Sequence, residues 1–151
     1  MDAFTPTIMA VRDLVESALS ECEPKPQVSV GGSPTLPPYA VVVFETPDDV
    51  GISTPSTSVP AMGRASGPYA VEFTVGAQMW AARKNPEEAG ATVNEWFTLV
   101  MDALARDKTL GGLCENAVPV YARGGSVSRD RGFLAAIDFG IRVKAHHAPC
   151  N

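Results

Sequence analysis

Few residues in this chain have the types and spacing that chemistry needs. His146, His147 and Cys150 are the densest group of ligand atoms, and they stand at the end of the sequence. Adjacent histidines on an extended chain point to opposite sides, so one metal ion does not readily take both. Cys114 could be a nucleophile, but both histidines lie in the tail and a thiol needs a base beside it. A small buried apolar residue is the better reading of Cys114. Asp48 and Asp49 are paired carboxylates, yet their polar, proline-containing surroundings hold poor geometry for acid–base work. The glycine pairs Gly31-Gly32, Gly111-Gly112 and Gly124-Gly125 lack the spacing of a P-loop or of a dinucleotide-binding turn, and each reads as a turn. Arg123, Arg129 and Arg131, with Asp130 among them, are the best basic patch and could meet phosphate, an acidic partner or water. Trp80 and Trp96 read as core or interface anchors. The chain is expected to have no catalytic residue, no cofactor and no metal, and not to be an enzyme.

The whole-chain properties agree with that. Its 151 residues make one domain the expectation, spanning 1–151. A net charge of −5 argues against broad nucleic-acid binding. The charge is uneven: residues 1–50 hold eight acids and two bases, and residues 120–151 hold two acids and five bases. Charge alone reads as solvated surface, although such a split can draw copies of the protein together. Cys22, Cys114 and Cys150 are odd in number, without metal or redox spacing, so reduced thiols in an intracellular setting are expected. Asp2, Asp13 and Glu16 do not make a signal peptide, and no apolar run approaches the roughly 18 residues of a membrane span.

The elements that position these residues come next. Residues 6–22 have apolar side chains at helical spacing (Ile8, Val11, Leu14, Val15, Ala18, Leu19), with Thr5 as a cap, Pro6 in the first turn, and Pro24 and Pro26 as stops. Residues 27–30 read as a short strand, and 39–45 as a strand central in its sheet or covered on both faces. Residues 69–80 alternate and read as the best strand. Residues 85–106 are the clearest helix: Asn85 caps, Pro86 opens, Glu87 and Glu88 suit the positive end, and Ala89, Val93, Trp96, Phe97, Val100, Met101 and Leu104 form its stripe. Residues 117–123 read as a strand whose Pro119 marks an edge or bulge. Residues 124–131 read as a turn, and 132–145 as the last strand of a hairpin. Long loops are expected at 24–38 and 47–67. The latter has Met62 and Arg64 as its only obvious contact-making side chains. The expected fold is α+β: a mostly antiparallel or mixed four- to five-stranded sheet with two helices packed on one face.

Two segments carry a family resemblance. An amphipathic helix leaves through DALARDKTLGGLC (residues 102–114), and the last strand opens with GFLAAIDFGIRV (residues 132–143). Across residues 69–145 the chain resembles the tail terminator proteins of long-tailed bacteriophages, together with related neck and tail-completion proteins. The resemblance implies a structural virion protein, made in the host cytoplasm. It would form a ring of six copies at the head-proximal end of the tail tube, stop tube growth and dock to the head connector. The partners implied are further copies of the chain, the tail tube protein and the connector. No membrane and no sequence-specific nucleic acid are implied, although DNA would pass through the ring. Met62, Arg64, Arg123, Arg129, Asp130 and Arg131 are the interface candidates on this reading, carried by the loop at 47–67 and the turn at 124–131. Alternatives are a neck or head-completion protein on the connector side, an assembly chaperone, and a small ligand-binding or enzymatic host domain.

Overall fold

Side-chain alternation sets the sheet. In the computed structural model, which describes residues 4–32, 36–42, 50–53, 69–129 and 132–147, the two most regularly alternating segments are its longest strands. The elements in order are α1 (Thr5–Ala18), β1 (Gln27–Val30), β2 (Tyr39–Val42), β3 (Gly51–Ser53), β4 (Tyr69–Arg83), α2 (Pro86–Arg106), β5 (Asn116–Arg129) and β6 (Gly132–His147). β4 and β6 pair antiparallel, with Phe73 opposite Val143, Val75 opposite Ile141, Ala77 opposite Phe139 and Met79 opposite Ile137. All eight are buried. A slip of one residue would turn this whole apolar set to the other face, so the register is strongly specified.

The lane order is β1-β2-β4-β6-β5, with β3 also on β4. β2 takes residues 77–80 of β4 and β3 takes residues 70–72, so six strands fill five lanes. β1 and β2 are parallel, which makes the sheet mixed. Parallel strands ordinarily need a long crossover. Here each strand is four residues long, so the return path is short and residues 31–38 are enough to span it.

Both helices cover the same face. The ring of Phe4, just before α1, lies 4.8 Å from that of Phe73, and Phe97 of α2 lies 5.5 Å from Phe139, both edge-on. Phe73 and Phe139 belong to the buried set shared by β4 and β6. Between helices and sheet, Val11, Val15, Leu19, Ala89, Val93, Trp96, Val100 and Leu104 complete one apolar cluster. The α+β expectation, with two helices on one face, holds.

α2 begins where its capping signal stands. Asn85 is extended, and its side-chain oxygen accepts the Glu88 N–H at 2.8 Å. Asn85→Ala is expected to lower the unfolding free energy by about 1 kcal/mol, read as a shift of the urea midpoint at unchanged slope. At the other end Leu110, Gly111 and Gly112 have φ of 50°, 71° and 91°. Leu110 adopts this uncommon conformation with its side chain buried, and the Asp107 carboxylate accepts the Gly111 N–H at 3.0 Å.

Several boundaries differ from the sequence reading. Thr5 is the first residue of α1 rather than its cap, because Phe4 adopts a helical conformation while packing on Phe73. α1 also stops at Ala18, short of the prolines. Ser20 turns its hydroxyl and its N–H onto the Ser17 carbonyl, which competes with helix continuation. The expected loop at 47–67 contains β3, which gives four strands between the helices instead of two or three. Gly124 and Gly125 are not a turn: β5 continues to Arg129, with Gly124 opposite Ile137 and Gly125 opposite Ala136. Local propensity there yields to pairing with the long, strongly patterned β6.

Candidate interaction surface

Proline dictates the character of β5. Pro119 brings no N–H to a ladder, and the register with β6 shifts between Pro119 and Tyr121, leaving Val120 as the extra residue of a bulge. The strand is the last lane of the sheet. Its side chains divide by register. Ala117 stands opposite Val143 on the helix-covered face, whereas Val118, Tyr121 and Arg123 stand opposite Arg142, Gly140 and Asp138 on the other face.

Tyr121 lies across the backbone of β6. A Cβ added to Gly140 would come within 2.8 Å of the tyrosine Cζ and 2.9 Å of Thr74 Cγ2, so the ring takes the space that the glycine leaves. The Arg123 guanidinium sits 5.6 Å from the centre of that ring, at cation–π distance. Further along the same face, Arg142 donates to the Thr74 hydroxyl at 3.2 Å and reaches Glu72 at 3.8 Å, and Lys144 lies 3.6 Å from Glu115. These pairs are well solvated and stabilise little. Across the sheet Trp80 stacks on Tyr39 at 6.1 Å, and its indole N–H donates to Gln78.

The exposed apolar groups concentrate at this edge. Among the described residues six large apolar side chains are exposed, and four lie between Leu113 and Tyr121: Leu113 (49%), Val118 (37%), Val120 (50%) and Tyr121 (39%). The other two, Met9 and Leu36, lie on α1 and just before β2.

Of the sequence candidates, Arg123 is on this surface. Arg129 ends β5, but its side chain lies outside the described residues, as do Met62, Arg64, Asp130 and Arg131. Asp48, Asp49, Cys150 and the side chains of His146 and His147 lie outside them too. The sequence reading missed Leu113, Val118, Val120 and Tyr121. The run VPVYA was the available signal, since apolar residues on both sides of a proline-bearing edge strand cannot all face one core.

The remaining chemistry is quiet. Cys114 is buried, with its Sγ 3.8 Å from the Lys108 carbonyl, and burial first, then Asp107, pushes the thiol above its ordinary value. Burial likewise raises Cys22, with Glu95 adding to it. Both thiols therefore hold their protons at neutral pH and are poor nucleophiles. A groove of about 500 Å³ runs between α1 and the end of α2, lined by Asp13, Ser17, Arg106 and Asp107 among others. Among the described residues no three His, Cys, Asp or Glu side chains group to hold a metal ion, and no helix is long and apolar enough to cross a membrane. No protein-family model and no curated protein matches the chain.

Proposed function

We propose that the protein is a ring-forming structural component of a phage tail, acting at the head-proximal end of the tail tube to end its growth and to dock to the head connector. The observation that carries this reading is the apolar cluster at Leu113, Val118, Val120 and Tyr121 on a sheet edge. Apolar side chains gathered at one edge mark a contact surface. The resemblance adds the partner class, because its two segments correspond to the exit of α2 and to β6, the parts that set where β5 lies. The role is steric: a rigid sheet-and-helix body packs side by side with its copies, and the segments joining β3 to β4 and β5 to β6 meet the tube and the connector.

Native mass spectrometry of the purified chain, alone and with assembled tail tubes, tests this. A closed ring of six 15.9 kDa copies that caps one end of the tubes is the expected result. A strict monomer that ignores tubes overturns it. Replacing residues 54–65 with a Gly-Ser linker, which keeps β3 paired to β4, should leave the ring intact and block joining of tails to heads. If the protein is found on isolated connectors and not on headless tails, the connector-side reading replaces this one.

A further inference from the structure

The two outer lanes of the sheet differ in a way that makes them partners for each other. We propose that copies of this chain join head to tail, the β5 edge of one against the β1 flank of the next. This names the surfaces behind the ring reading and rests on it.

The β5 side offers Leu113, Val118, Val120 and Tyr121, with Arg123 beside them. Arg123 has no carboxylate at ion-pair distance among the described residues, although Asp138 is its cross-strand neighbour. The β1 side offers three complementary things. First, no described strand pairs with its outer side. The N–H of Gln27 donates to Pro38 and that of Gly31 to Val42, so the odd-numbered residues of β1 turn their backbone groups to β2. Residues alternate along a strand, so Val28 and Val30 turn theirs the other way, where the described residues place no strand and the Val30 carbonyl accepts the Gly32 N–H at 3.0 Å. Second, Leu36, exposed at 77%, lies on the chain that enters β2, three residues ahead of Tyr39, the partner of Gln27 in β1. Third, the flank is acidic. Arg12 is engaged by Asp13 and Glu16, and Lys25 by Glu16, whereas Glu21 and Glu23 are exposed with no ion pair among the described residues.

A like-with-like joint is disfavoured by the same facts. Two β5 edges would bring Arg123 no acidic partner, and two β1 flanks would set acids against acids. The bulge also interrupts the β5 ladder at Val120, so at that point the joint is made by side chains, with Leu36 against the apolar cluster. Unlike surfaces joined in this way generate a ring when the rotation closes.

The test uses two surface variants of the full chain, Val120→Lys and Leu36→Lys, each followed by native mass spectrometry and sedimentation velocity. Both positions are half or more exposed, and a parent-like far-ultraviolet circular dichroism spectrum with cooperative unfolding confirms that the fold is kept. Each variant alone should be monomeric, because each loses one half of every joint. Mixed in equal amounts they should form a heterodimer and nothing larger, since one good β5 edge then meets one good β1 flank. Rings that persist in Val120→Lys overturn this joint and leave the ring reading standing. Dimers of Leu36→Lys alone, with no heterodimer on mixing, overturn it in favour of a β5–β5 joint. A monomeric parent chain overturns the ring reading and the joint together.

Discussion

Phe139→Ala is expected to lower the unfolding free energy by about 3–5 kcal/mol, a large part of the roughly 5–15 kcal/mol that holds a domain folded. Phe139 is fully buried, and the Phe97 ring meets it edge-on at 5.5 Å. Its cross-strand neighbours are Ala77 on β4 and Ala122 on β5. Both are small, and the ring fills the room that they leave at the centre of three strands. Neither alanine can fill the gap, so the cavity should persist and the cost should fall within the range for this substitution. A domain of this size should lose roughly 6–20 °C in thermal midpoint, measured by far-ultraviolet circular dichroism. Phe133→Ala, at a half-buried position near the end of the same strand, is the comparison and should cost clearly less. A loss below about 1 kcal/mol for Phe139→Ala would mean that helix and sheet are not packed as described.

Gly132→Ala should be strongly destabilising for the addition of a single methyl group. Gly132 opens β6 with φ of 153°, a conformation that other residues rarely adopt. A Cβ there would stand 2.5 Å from the Arg83 carbonyl oxygen and 3.4 Å from its carbon. Those atoms are backbone at the end of β4, where Arg83 pairs with Phe133, and they cannot rotate aside. Strain and collision together should cost about 2–3 kcal/mol in a urea titration. Gly125→Ala supplies the contrast. Nothing lies within 4 Å of a Cβ at Gly125, so its effect should stay within about 0.5 kcal/mol. Equal effects at the two glycines would sink the argument, because it rests on the Arg83 contact and on φ.

The difference between those glycines also explains what the sequence revealed and what it hid. α2, β4 and β6 were legible because a long period leaves little choice: the stripe from Ala89 to Leu104 has one helical reading, and the alternation from Phe133 to Val143 has one strand reading. Gly124 and Gly125 misled because their type is informative only where the backbone demands glycine, and within β5 it does not. β3 was hidden because three residues carry no period, and the parallel pairing of β1 with β2 because four-residue strands carry no directional signal. The surface was legible by charge and not by shape. Arg123 stood out as a cation, whereas Val118, Val120 and Tyr121 were ordinary apolar residues of a strand until the edge position of β5 was fixed. The candidates at Met62, Arg64, Asp130 and Arg131 lie outside the described residues.

The one-sided covering of the sheet has an optical consequence. The chain has two tryptophans, and the fold puts them on opposite sides of the same layer. Trp96 is enclosed between α2 and the sheet, whereas Trp80 lies on the face opposite the two helices, half-exposed and stacked on Tyr39. Their emission should therefore separate by colour, Trp96 blue-shifted and shielded from iodide, Trp80 red-shifted and open to it. One cuvette then holds two independent gauges, with Trp96 reporting whether the layers are closed and Trp80 whether anything has come to rest on the opposite side.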